Sequence, residues 1–138
     1  MSSNEILKEP ENRPGKANFD HIYDQHEPRE YYRTLAQFDY QIPKYVQRVF
    51  GSLIEERARR DGQPPRVFDL ACSYGINSAL LNYEGTTFNG LARRYASDEL
   101  QAMSVDEVVD ADRRFFAERR KPDAPSIYGC DVAANAIR

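Results

Sequence analysis

The chain has no tryptophan and only two cysteines, two histidines and two methionines among its 138 residues. Cys72 and Cys130 cannot furnish a four-ligand zinc site by themselves. A pair so widely separated, in a chain expected in the cytosol, reads as reduced thiols rather than as a disulfide. No stretch approaches the roughly 20 consecutive apolar residues of a membrane-spanning helix, so no membrane partner is expected. Met1 to Lys16 lacks the apolar core of a signal peptide and is polar, with Pro10, Pro14 and Gly15. Export is therefore not expected, and the cytoplasm is the default location. An excess of charge of either sign is also lacking. The 19 basic side chains stand against 22 acidic ones, for a net charge of −3. Such a balance gives no general attraction to nucleic acid or to an anionic membrane. There is no internal repeat and no low-complexity tract.

Aromatic residues are plentiful: nine Tyr and seven Phe, within a hydrophobic fraction of 41%. These supply enough large side chains for one globular core and too many for a disordered chain. Residues 1–17 read as a flexible leader. Pro28 suits the first turn of a helix running to about Phe38, with Tyr31, Leu35 and Phe38 on one face. Pro43 opens a second helix, with Tyr45, Val46, Val49, Phe50, Leu53 and Ile54 at helical spacing. Gly62 and Pro64-Pro65 stop it. Arg66 to Ala71 is a short apolar run that predicts a buried strand. Gly75 to Leu81 predicts a helix, Tyr83 to Gly90 a loop, and Leu91 to Tyr95 a helical turn. Ser104 and Glu107 form a capping box opening a helix to about Arg120. After a turn at Pro122 to Pro125, Ser126 to Cys130 predicts a second strand. Val132 to Arg138 predicts the start of another helix.

Strand, small-residue turn, helix and a second strand ending in an acid make a βαβ unit, expected to be right-handed. In doubly wound folds a ligand lies beyond the carboxyl ends of such strands. Here the turn is Asp69-Leu70-Ala71-Cys72-Ser73-Tyr74-Gly75. Small residues at 71, 73 and 75 let the backbone approach a ligand, and the acid at 69 suits an ammonium group. If positions 71 and 73 require positive φ, their side chains are strained there.

This pattern resembles the first signature of the class I, Rossmann-like, S-adenosylmethionine-dependent methyltransferases. That signature is an acid followed by alternating glycines at the end of the first strand. Ala71 and Ser73 stand where the first two glycines usually stand, and Gly75 matches the third. Tyr128-Gly129-Cys130-Asp131-Val132 is similar to the second signature, an acid closing the second strand, followed by the helix start Ala133 to Ile137. The stretch from Asp20-His21-Ile22-Tyr23-Asp24 to Tyr31, with the Cys-Ser-Tyr-Gly turn, resembles a group of bacterial methyltransferase-like proteins. The resemblance implies an α/β fold: a Rossmann-like βαβ unit with an incomplete parallel sheet. Residues 18–65 would be an N-terminal helical cap, and residues 66–138 the first part of the methyltransferase domain.

The resemblance also implies roles. Asp69 would face the methionine ammonium of S-adenosyl-L-methionine. Ala71, Cys72, Ser73, Tyr74 and Gly75 would line its methionine and ribose. Asn77 and Ser78 would meet its carboxylate at a helix start. Asp131 would accept both ribose hydroxyls, since a carboxylate offers two acceptor oxygens. The activity would be methyl transfer to an acceptor the sequence does not name, with no catalytic residue assigned. Asp69 and Asp131 lie much further apart than the roughly 20 residues of the related dinucleotide pattern. Residues 83–125 are therefore expected to form a helical insertion, either a substrate lid or an added subdomain. With only two strands recognisable, the chain is expected to be a fragment or a truncated reading frame. Its open sheet edges would permit self-association.

Other readings stay open beside this one. A nicotinamide or flavin dinucleotide is a weaker ligand, because the second and third glycines of G-x-G-x-x-G are missing. A non-catalytic cofactor-binding or protein-interaction module is a further alternative. His21 and His26, near Asp20, Asp24 and Glu27, fit a solvated segment better than a metal site, and His21 is an alternative general base. Cys72 reads as a small filler rather than a nucleophile, though a helix N-terminus lowers thiol pKa. Tyr74 either stacks on the ligand or shields the turn. The basic pairs 93–94, 113–114 and 119–121, offset by acids such as Asp98, Asp110 and Asp112, read as solvated helix faces. Phe115 and Phe116 read as core.

Overall fold

The computed structural model describes residues 18–137, so the expected leader at 1–17 lies outside the described residues. Seven helices and two strands follow in the order α1 (Asp20–Tyr23), α2 (Arg29–Ala36), α3 (Ile42–Asp61), β1 (Arg66–Leu70), α4 (Ile76–Asn82), α5 (Phe88–Tyr95), α6 (Asp98–Gln101), α7 (Val105–Ala117) and β2 (Ser126–Cys130). The fold is mixed α/β, with β1 and β2 paired in parallel. The register runs from Arg66 opposite Ser126 to Leu70 opposite Cys130. No helix among the described residues is long and apolar enough to cross a membrane.

Local chemistry sets most of the boundaries. Pro28 stands at the N-cap of α2. Pro43 occupies the first turn of α3, and Gly62 ends that helix in the left-handed conformation at φ 68°. Thr87 and Ser97 cap α5 and α6 through the amides of Gly90 and Leu100. Ser104 and Glu107 complete both bonds of the capping box that opens α7. The expected loop at 83–90 is shorter than the spacing predicts, because the Thr87 cap starts α5 at Phe88.

The core lies among the helices and away from the sheet. Ile22, Leu80, Leu91 and Val108 are fully buried, joined by Tyr31, Tyr32, Phe88 and Tyr95. Burying each large side chain contributes roughly 1.5–3 kcal/mol. Tyr32 stacks on Tyr95 with centroids 4.8 Å apart, which locks α2 against α5. Phe115 and Phe116 are half-buried against the same cluster, as their sequence context predicts.

Residues 83–125, which give Phe88, Leu91, Tyr95 and Val108 to the core, begin and end side by side. Tyr83 and Arg120 form an antiparallel bridge. The Glu84 amide donates to the Arg119 carbonyl at 2.8 Å, and the Lys121 amide to the Asn82 carbonyl at 2.9 Å. Buried Asn82 adds a bond from Nδ2 to the Pro125 carbonyl at 3.0 Å.

Three expectations fail. The strand at 66–70 is not buried: Phe68 is 64% and Leu70 69% exposed. Val67, Asp69 and Ile127 turn toward α3 and α4, while the opposite face, with Phe68, Leu70 and Tyr128, has no covering layer among the described residues. The apolar stripe of α3 is likewise uncovered at Tyr45, Val49, Phe50 and Leu53, and the buried residue of that helix is Pro43. Finally, residues 132–137 form turns rather than a helix. There the Ala133 amide goes to Asp131 Oδ1, the Asn135 amide to Asp24 Oδ1, and Ala136 bonds back to Ala133.

Candidate functional site

Left-handed φ angles alternate through the turn after β1: 58° at Ala71, 49° at Ser73 and 70° at Gly75. Only Gly75 adopts this conformation without a Cβ penalty. For an L-residue the penalty is roughly 1–2 kcal/mol. Something must hold Ala71 and Ser73 there, and hydrogen bonds do so. The Cys72 amide extends the ladder to the Cys130 carbonyl at 3.2 Å, and the Gly75 amide closes onto the Cys72 carbonyl at 2.9 Å. The Ser73 amide donates to Asp131 Oδ2 at 2.7 Å, while Asp131 Oδ1 accepts from the Ala133 amide at 2.8 Å. One carboxylate thus joins the turn after β1 to the turn after β2. Each of its oxygens keeps one free acceptor direction.

Asp69 sits differently from Asp131. Its Oδ1 accepts from Asn77 Nδ2 at 3.0 Å, and its Oδ2 is buried with no partner among the described residues. Asn77 therefore turns back to hold Asp69. Both residues border a cavity of about 260 Å³ between α3 and the sheet, otherwise walled by apolar side chains such as Phe50, Ile54 and Val67. The Ser73 hydroxyl oxygen is a second buried atom without a partner among the described residues.

Cys72 is buried between the two acids. Burial, then the charges of Asp69 and Asp131, pushes its thiol up, against a backbone hydrogen bond that lowers it. The sulfur fills space left by a glycine: a Cβ at Gly129 would lie 2.6 Å from it. This geometry is that of a filler. Tyr74 shields the turn and ties it down. Its hydroxyl donates to the Ile22 carbonyl at 2.9 Å and accepts from the Gln25 amide at 2.8 Å. Asp24 takes the Asn135 amide at 2.8 Å, so the segment after α1 is bonded to both turns. No sequence signal links Asp24 to Asn135. Their contact arises only once the strands bring the two turns side by side.

His21 and His26 are both exposed. No group of three or more metal-ligating side chains occurs among the described residues. A buried ionic cluster lies elsewhere. Arg94 and Asp112 form an ion pair with side chains only 15% and 18% exposed, which corrects their reading as a solvated face. The Tyr95 hydroxyl donates to Asp112 Oδ2 at 2.8 Å. Burial pushes the Asp112 carboxyl above its ordinary range, although Tyr95 and Arg94 oppose this. The cluster had a sequence signal: Asp112 falls four residues after Val108 and four before Phe116, within the apolar stripe of α7.

No protein-family model, curated protein or solved structure matches the chain.

Proposed function

We propose that this chain binds S-adenosyl-L-methionine at the carboxyl ends of β1 and β2, as the cofactor-binding part of a Rossmann-like methyltransferase. The observation that carries this reading is the alternation of left-handed φ at 71, 73 and 75, held by Asp131. Alternating glycines are the residues that such a backbone favours. Keeping it with Ala and Ser, at a conformational cost, is the mark of a functional turn.

The residues present fit the group. Asp131 retains an acceptor direction on each oxygen for a ribose hydroxyl, and Asp69, whose Oδ2 is sealed beside Asn77, would meet an ammonium donor only by turning out of the sheet cavity. When bound, the sulfonium supplies an activated methyl group. The chain's part is to bind, orient and exclude water, with Tyr74 and Asp24 holding the N-terminal segment over the turns. In this reading the protein acts in the cytoplasm on an acceptor other than nucleic acid or membrane.

Calorimetric titration with S-adenosylhomocysteine tests the proposal. The chain binds, and Asp131→Ala weakens binding about tenfold or more, the scale of a lost charged hydrogen bond. Failure of the folded chain to bind overturns the reading. NAD+ binding in its place would favour a dinucleotide site.

A second reading, an interaction module, is favoured by the uncovered Phe68, Leu70 and Tyr128 face. A folded chain that binds no nucleotide yet associates in sedimentation experiments would support it.

A further inference from the structure

A second cavity, of about 270 Å³, lies against residues 26–28 and Tyr74 and reaches α4, α5 and α7. Its walls combine the aromatic rings of Tyr32, Tyr74, Tyr95 and Phe116 with the carboxylates of Glu27 and Asp112. The cations paired with those carboxylates stand behind the walls. Arg29 binds Glu27 and spends another nitrogen on the Leu100 and Met103 carbonyls at 2.8 and 2.9 Å. Arg94 binds Asp112 and lies over the Phe115 ring at 4.3 Å. Neither arginine lines the cavity. Arg113 and His26 line it from its exposed rim, and Arg113 is paired with Asp110.

Tyr32 distinguishes this cavity from a packing defect. The residue is only 2% exposed, and its hydroxyl makes no hydrogen bond among the described residues, yet it is not one of the sealed partnerless atoms. Burial and the nearby Asp112 charge push its pKa up, so it stays neutral and can accept a proton donor.

We infer that this cavity is a seat for a small arylalkylamine in its protonated form. Ring faces attract a cation through their quadrupoles, and the carboxylates and the free tyrosine oxygen accept N–H bonds. An anion would meet two carboxylates, and a neutral guest would bury their remaining acceptor directions unmet. Tyr74 and Ala136, which flank the two strand-end turns, also border the cavity. The seat itself stands on these residues alone.

The test titrates the full chain with benzylamine, benzyl alcohol and benzoate, three probes of one shape and different charge, in calorimetry. Benzylamine binds, benzyl alcohol binds about tenfold more weakly or less, and benzoate does not bind. Tyr32→Phe keeps the ring and breaks no internal hydrogen bond, so the melting temperature holds while benzylamine affinity falls about three- to tenfold. Val109→Trp, which fills the cavity from α7, abolishes binding. Equal binding of benzyl alcohol, an unchanged Tyr32→Phe affinity, or no benzylamine binding by a folded chain overturns the inference. S-adenosylhomocysteine is titrated separately without amine. Loss of that binding alone sinks the cofactor reading and leaves the amine seat standing.

Discussion

Ser73 carries two costs at once, a φ of 49° and a buried hydroxyl oxygen without a partner among the described residues. A Cβ in the left-handed region costs roughly 1–2 kcal/mol, and an unmet buried polar group about 1–3 kcal/mol. Glycine removes both, and gives back about 0.4–1 kcal/mol through the greater freedom of the unfolded chain. Ser73→Gly should therefore stabilise the protein by about 1–4 kcal/mol, read as a higher urea midpoint at constant slope. Loss of stability would mean that the hydroxyl has a partner in solution. The left-handed turn at 71, 73 and 75 was legible in the sequence because such a backbone favours small residues. Tyr32 and Asn135 were not, and Asp112 was marked only by its place in the apolar stripe of α7. Their importance depends on which distant element lies opposite, and side-chain chemistry alone does not carry that.

Elements with strong punctuation were legible. Pro43 and Gly62 bracket α3, Pro-Pro precedes β1, and Ser104 with Glu107 opens α7. Ser104→Ala should cost about 1 kcal/mol, since it removes the hydroxyl half of the capping box. Thermal unfolding with amide exchange across Val105–Glu107 reads this. An unchanged melting temperature and unchanged exchange would show that α7 is held by packing alone. Periodicity predicted the apolar stripe of α3 but not its exposure. A helical pattern says which residues share a face, whereas burial depends on what lies across from it. The expected helix after Asp131 failed for a related reason. Asp131 and Asp24 take up the amides of Ala133 and Asn135, and the chain settles into turns.

Taken as a whole, the molecule has its core on one side and its sheet on the other. The helices around Leu80, Leu91 and Val108 are well packed, while Phe68, Leu70 and Tyr128 form a broad apolar face. Patches of this kind drive association. The protein should enhance the fluorescence of an apolar dye and sediment in a concentration-dependent way. Phe68→Lys with Leu70→Lys should suppress both while far-ultraviolet dichroism is kept. If the double variant associates as strongly as the parent, the contact lies elsewhere.

The bridge between Tyr83 and Arg120 bears on how the chain finds this shape. β1 and β2 are separated by more than fifty residues, and parallel pairing across so long a span is slow, because the intervening chain must first give up its freedom. Once α5, α6 and α7 have collapsed and the Asn82 bonds close the neck, that span shrinks to α4 and two short connectors. The late step then resembles the closing of a small loop. A substitution that opens the neck, such as Asn82→Ala, would slow refolding out of proportion to its effect on the finished strands.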